Sequence, residues 1–233
     1  MVRRLTAGLF LLGMIVAGAT AARGQDRRAG EALARSLADA SAPRPTIVLV
    51  DGTIGDANSW QSVIPILRKD GYKVILVESR LASLTEDIAK TKRVIDAAKD
   101  RVVLAGHSYG GAVITGAAAN PKVKALVYVA AFAPDANEPI GAFSERYPSA
   151  AGPPVPASSA ILRETIAFPA WRTIRSWYLF SRDDQAINPD LQRFFAKRMG
   201  AASCESKQNR TISKAQPKTI ARCIEEAAAA TSK

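Results

Sequence analysis

The clearest pattern along the chain is a series of short, continuous runs of apolar and β-branched residues. Runs without polar alternation are typical of strands that are buried on both faces of a parallel sheet. The sequence predicts six such strands, over Thr46–Val50, Lys73–Val77, Arg101–Ala105, Lys124–Val129, Trp177–Ser181 and, with a weaker pattern, Ala202–Ser206.

Helical patterns alternate with these runs. Ser83 and Glu86 have the spacing of a capping box, and apolar residues then recur at helical spacing. Asn188-Pro189 matches an N-cap followed by a first helical residue, and Gly200 matches a C-terminal stop. A last helix is predicted from about Pro217 to Ala230. The alternation predicts an α/β fold, in which a mostly parallel sheet is covered by helices on both faces.

The N-terminal part of the chain has a different composition from the rest. Two arginines precede an apolar run and then small residues, so residues 1–22 are predicted to be a secretory signal peptide. An uncleaved anchor is the alternative interpretation, and no other segment is apolar enough to span a membrane. Residues 23–44 are predicted to be a mobile arm, and residues 45–233 a single domain of a periplasmic or secreted protein.

The chain is basic, with 32 Lys and Arg against 21 Asp and Glu and a formal net charge of +11. A nucleic-acid partner would need aromatic residues interleaved with basic ones, yet aromatic residues make up only 6% and no such run occurs. The charge therefore indicates weak attraction to anionic surfaces, and we predict no nucleic-acid partner.

The two cysteines, Cys204 and Cys223, are open to two interpretations. A disulfide between them is plausible because disulfides persist in an exported protein, and two separately buried thiols fit the sequence almost as well. Neither cysteine has a His or Cys partner at metal-ligand spacing, so we predict no metal site and no cofactor.

A catalytic motif follows the third predicted strand. Gly106-His107-Ser108-Tyr109-Gly110 lies between that strand and a helix-forming stretch of small residues, which is the context of a nucleophile elbow. Gly106 and Gly110 are expected because the strand and the helix approach closely there. The backbone N–H of Tyr109 and one from Gly52-Thr53, in the loop after the first strand, are the predicted oxyanion donors.

Several segments together resemble the α/β-hydrolase superfamily, and in particular exported bacterial esterases similar to the methylesterase and hydroxynitrile-lyase group. The resemblance implies a small ester or related acyl substrate, Ser108 as nucleophile and Asp184, rather than its neighbour Asp183, as the acid. The segments that carry it are Ser59-Trp60, Val63-Ile64-Pro65, Gly106–Gly111, Ala130–Pro134 and Ser176-Trp177-Tyr178.

The chain departs from that family at the general base. Its single histidine, His107, lies inside the elbow and is predicted to be structural, and Arg210 occupies the position of the family's catalytic histidine. Arginine stays protonated and cannot accept the serine proton. Asp51 stands where the family has a histidine beside the oxyanion loop, and the lid, over about 135–170, is shorter than in relatives.

Three functional hypotheses remain open at this point. The protein is a serine hydrolase impaired by Arg210, a pseudoenzyme that binds a small anionic ligand at the former active site, or a paralogue that has drifted without a selected ligand. The sequence leaves catalytic activity and oligomeric state undecided.

Overall fold

The structure is a computed structural model of the chain. It describes residue 30 and residues 43–52, 60–150, 160–205 and 216–232, without the side chains of residues 144, 145, 205 and 232. Arg44–Lys233 forms one compact unit. The predicted signal peptide over 1–22 lies outside the described residues, as does nearly all of the predicted arm, so both stay predictions.

Six parallel strands form one sheet in the order β2-β1-β3-β4-β5-β6. Each predicted apolar run is a strand, with ends that differ by at most three residues, and the predicted α/β fold class is confirmed. The strands are β1 (Thr46–Asp51), β2 (Val74–Glu78), β3 (Val102–Ser108), β4 (Val123–Ala131), β5 (Ser176–Phe180) and β6 (Ala202–Glu205).

Six α-helices are present among the described residues, and two short 3-10 helices lie at Ala170–Arg172 and Ala230–Ser232. No helix in the described ranges is long and apolar enough to span a bilayer. The α-helices are α1 (Ile64–Lys69), α2 (Leu84–Ala97), α3 (Gly110–Ala117), α4 (Ala142–Arg146), α5 (Pro189–Met199) and α6 (Pro217–Ala229).

Both faces of the sheet are covered, which explains the continuous apolar runs. In β1, Val48 and Val50 pack into a cluster with residues of α2, α3 and α5. Ile47 and Leu49 point the other way, into a cluster with residues of α1 and α6. All four are fully buried, so a polar residue at any of these positions would lack water on either face.

The predicted helix boundaries are confirmed by their capping contacts. Ser83 Oγ accepts a hydrogen bond from Glu86 N at 3.3 Å, and Asn188 Oδ1 accepts one from Asp190 N at 2.9 Å. Gly200 follows α5 with a φ of 59°, in the left-handed region that glycine adopts without strain. The ends of α2 and α5 are therefore determined by local sequence.

The described part of the segment between β4 and β5, where the short lid is predicted, contains the five-residue helix α4 and the 3-10 helix Ala170–Arg172. Its ends are tied to the domain: Trp171 Nε1 donates to Pro134 O at 3.0 Å. Arg198, on α5, donates to Ala133 O at 2.6 Å and to both carboxylate oxygens of Glu138. Residues 151–159 of the predicted lid lie outside the described residues.

A disulfide joins Cys204 on β6 to Cys223 on α6, with the two Cα atoms 5.8 Å apart. Both residues are buried, at 7% and 1% exposure. Of the two interpretations open from sequence, the structure has the bridge. It attaches the edge strand of the sheet to the last helix across a sequence separation of 19 residues.

Replacing both cysteines by serine, Cys204→Ser with Cys223→Ser, should lower the free energy of unfolding by about 3 kcal/mol, because the unfolded chain regains the entropy of a loop of this length. Urea unfolding of the oxidised protein and of the double variant measures the difference. A reducing agent should destabilise the native sequence and leave the variant unchanged. Equal stability of the two proteins would contradict a stabilising bridge.

Candidate active site

Ser108 is the last residue of β3 and has a φ of 54°, which non-glycine residues rarely adopt. The chain turns at this residue directly into α3, whose N-cap is Tyr109. Such a backbone costs about 1–3 kcal/mol and persists only when the surrounding structure holds it in place. Ser108 therefore stands on a strained turn between a strand and a helix, which is the geometry of a nucleophile elbow.

Two glycines of the motif allow the close approach at this turn. A Cβ atom on Gly106 would lie 2.5 Å from Gly110 O, and one on Gly110 would collide with Val50 O. In both cases the obstacle is backbone, so no side-chain rotation can relieve it. The structural reason predicted for these glycines is the one observed.

The loop after β1 is packed against the same turn. A Cβ atom on Gly52 would lie 2.5 Å from Tyr109 N and 2.5 Å from His107 O. The end of β1 and the first residues after the elbow are thus in backbone contact, as an oxyanion site built from these two segments requires. Thr53, the predicted second donor, lies outside the described residues.

The strained turn is also held from β4. Phe132 N donates to Ser108 O at 3.0 Å, and the buried Tyr178 hydroxyl binds both backbone groups of Ala131, accepting from its N–H at 3.1 Å and donating to its carbonyl. Ala130, directly before, has a φ of 41°. Burial raises the pKa of Tyr178, so its hydroxyl remains a neutral donor. A second irregular turn therefore supports the elbow.

His107 lies on the side of the elbow away from these contacts, edge-on to the buried Trp60 ring at 6.4 Å. Its Nδ1 is 3.9 Å from a carboxylate oxygen of Asp51, which is only 2% exposed. No hydrogen bond to Nδ1 is formed among the described residues. The structure thus places His107 next to Asp51, the residue that precedes Gly52 at the end of β1.

Asp184 follows β5 in a loop that holds its carboxylate by three hydrogen bonds. One oxygen accepts from Ala186 N at 2.8 Å and Ile187 N at 3.1 Å, and the other accepts from Gln192 Nε2 at 2.9 Å. Asp183 is exposed, whereas Asp184 is partly buried. Of the two neighbouring acids, Asp184 is the one with a fixed orientation.

The sheet order puts Ser108 and Asp184 at the same end of the sheet, where the strands have their carboxyl ends. β3 and β5 run parallel with β4 between them, so their carboxyl ends lie two strand spacings apart, roughly 10 Å. A gap of that size has room for one bridging side chain between a nucleophile and an acid. Arg210, the predicted occupant of that position, lies in the segment after β6, outside the described residues.

Sequence reasoning missed three buried polar residues that position the site, namely Asp87, Tyr178 and Gln192. Gln192, fully buried on α5, accepts from Ser181 N at 3.0 Å and donates to Asp184 and to Ile187 O. A polar residue on an otherwise apolar helix face was the available signal. Among the described residues, no group of three or more potential metal ligands occurs.

Comparison with known proteins agrees with this geometry. The sequence model of the alpha/beta hydrolase family matches residues 46–146, which run from β1 through the elbow to α4. A curated relative, a carbendazim hydrolyzing esterase from Nocardioides sp. (strain SG-4G), is 34% identical over 102 aligned residues. That match covers 38% of this chain and 42% of the relative, so it spans less than half of either protein.

Solved structures with the same fold cover most of this chain. A pyrethroid hydrolase superposes with a TM-score of 0.67 at 18% identity, covering 81% of this chain and 99% of that one. Polyneuridine aldehyde esterase superposes with a TM-score of 0.67 at 19% identity, covering 79% and 99%. With the family match over residues 46–146 and the parallel sheet, these findings show that the chain has the α/β-hydrolase fold.

Asp184→Ala should destabilise the protein by about 1–2 kcal/mol, because it removes the acceptor of three hydrogen bonds that order the loop before α5. Asp183→Ala, the matched control one residue away, should stay within about 0.5 kcal/mol of the native protein. Urea unfolding at pH 7 measures both. Equal effects of the two substitutions would show that the Asp184 loop is not organised as described.

Proposed function

We propose that this protein is a serine hydrolase of the esterase type whose turnover is impaired at the general base. Ser108 is the nucleophile, Asp184 the acid, and the Tyr109 and Thr53 N–H groups the oxyanion donors. The observation that carries the proposal is the strained Ser108 at the end of β3, with the loop after β1 packed against it.

The substrate class is inferred from the relatives. The curated relative is a carbendazim hydrolyzing esterase, and the structurally similar proteins include a pyrethroid hydrolase and polyneuridine aldehyde esterase. Two of the three names say esterase and the third says hydrolase, so a small ester is the proposed substrate. The short segment between β4 and β5, whose described residues form a five-residue α-helix and one turn of 3-10 helix, supports a more open site than a long lid would leave.

Impairment follows from the chemistry of the residues that remain. The chain has one histidine, and the structure places it in the elbow beside Trp60 and Asp51. Arg210, at the position where the family carries the base, cannot take a proton from Ser108. Loss of one triad member typically lowers kcat by roughly 10⁴–10⁶ and leaves about 10³ over water from the oxyanion donors and binding.

A buried carboxylate beside the oxyanion loop weakens the site further. Asp51 ends β1 immediately before Gly52 and is 2% exposed. If ionised, it opposes the negative charge that develops on an acyl-transfer intermediate. The Nδ1 atom of His107 lies 3.9 Å from this carboxylate, and a protonated His107 would offset its charge.

Arg210→His should raise the rate of p-nitrophenyl acetate hydrolysis by about 100-fold or more, because a positioned general base contributes roughly 10²–10⁴. Initial rates of the native protein, Ser108→Ala, Arg210→His and the double variant measure this, and the gain should vanish in the double variant. Arg210→Gln is the matched control, since it removes the cation without supplying a base.

Two outcomes of the same experiment count against the proposal. Native turnover that is lost in Ser108→Ala would show that a base exists elsewhere and that the protein is not impaired. Failure of a serine-directed fluorophosphonate to label Ser108, in both the native protein and Arg210→His, would show that the elbow does not present a reactive serine.

The second candidate function is binding of a small anion, and the substitution itself favours it. An arginine in place of the catalytic histidine would bring a fixed cation towards the N-terminal end of α3, which no described side chain caps. In this case Ser108 and Arg210 hold a carboxylate or phosphate and no bond is broken.

Isothermal titration should then show binding of acetate or inorganic phosphate to the native protein, weakened at least tenfold in Arg210→Gln, because a charge-assisted pair contributes about 1.5–3 kcal/mol. Affinity that is equal in the native protein and Arg210→Gln, or no heat with either anion, would remove this candidate.

A further inference from the structure

A buried carboxylate outside the proposed catalytic set lies against the elbow. Asp87, on α2, is 2% exposed and accepts a hydrogen bond from the hydroxyl of Tyr109 at 3.2 Å. It also accepts from Arg80 N at 2.9 Å and from Leu81 N at 3.2 Å. One side chain thus connects the turn before α2 to the residue that follows the nucleophile.

The number of donors explains why a carboxylate is needed at this position. Three N–H or O–H groups point at its two oxygens, and Leu81 has a φ of 56°, so the turn requires support from outside itself. An asparagine of the same shape has one acceptor oxygen and would leave at least one buried donor unpaired.

Tyr109 transmits this constraint to the oxyanion position. Its side chain is fully buried, and burial, together with the nearby charge of Asp87, raises the pKa of the phenol, which therefore stays a neutral donor. Its backbone N–H lies beside Gly52, and its carbonyl accepts from Ala112 N at 2.9 Å and Val113 N at 3.3 Å. A shift of the Tyr109 backbone would therefore move the first turn of α3.

We propose that Asp87 is a positioning residue of this site: through the Tyr109 hydroxyl it fixes the backbone N–H that would stabilise an oxyanion. The catalytic part of this inference rests on the proposed function, since Tyr109 N–H is an oxyanion donor only in that mechanism. Donors that are displaced by a fraction of an ångström lose much of their effect on a transition state.

Hydrogen exchange of the full chain provides a test that does not need activity. The amides of Ala112 and Val113, which bind the Tyr109 carbonyl, should exchange about tenfold faster in Asp87→Asn and in Tyr109→Phe, a change of the size of one net hydrogen bond. The double variant should exchange no faster than the faster single variant, because both substitutions break the same contact.

Two matched controls separate positioning from general loss of stability. Asp96→Asn removes the same charge from the exposed side of the same helix, where it pairs with Asn120. Tyr128→Phe removes a buried hydroxyl that pairs with Thr115 instead of the elbow. Neither should change the exchange of Ala112 and Val113 relative to amides of α6.

Activity in the Arg210→His background provides the second measurement. Asp87→Asn and Tyr109→Phe should each lower kcat about tenfold with KM little changed, and their effects should not add. If Arg210→His is inactive while the exchange results hold, the proposed function fails and the positioning of Tyr109 stands.

The inference is overturned if exchange at Ala112 and Val113 is unchanged in both variants, if amides of α6 accelerate equally, or if the two effects add. Should Asp87→Asn fail to fold, Tyr109→Phe alone decides, because it leaves the contacts of Asp87 with Arg80 and Leu81 in place.

Discussion

The close approach of three backbone segments at Ser108 is the constraint on which the site depends. The end of β1, the end of β3 and the start of α3 meet with no room for a side chain at Gly52, Gly106 or Gly110. That contact forces the positive φ of Ser108, and it brings the N–H of Tyr109 next to the loop that would supply the second oxyanion donor. Backbone geometry, more than any side chain, therefore defines what this site can do.

Buried polar side chains hold that backbone from three directions. Tyr178 binds both backbone groups of Ala131 beside the elbow, Gln192 connects Asp184 to the end of β5, and Asp87 binds Tyr109. In each case a side chain satisfies backbone or loop groups that would otherwise be buried without a partner. The two sides of the proposed site, around Ser108 and around Asp184, are thus both held in place by buried contacts.

Features that depend on neighbouring residues along the chain could be predicted from the sequence alone. Continuous apolar runs predicted all six strands, and Ser83, Asn188 and Gly200 marked helix ends, because period and capping are local properties. The elbow motif was readable for the same reason, since its glycines lie within two residues of Ser108. The family resemblance also predicted Asp184 as the acid, and that role stays a prediction.

Contacts between residues that are distant in the sequence could be seen only in the folded structure. In the structure, Cys204 and Cys223 form a disulfide and are not separate thiols. Asp51 lies beside His107, and Asp87 contacts Tyr109, which is 22 positions away in the sequence. No local pattern encodes these contacts, because they arise from the order of strands in the sheet and from the packing of α2 against α3. The physical reason is that a buried polar group needs a partner, and the fold alone determines which partner is within reach.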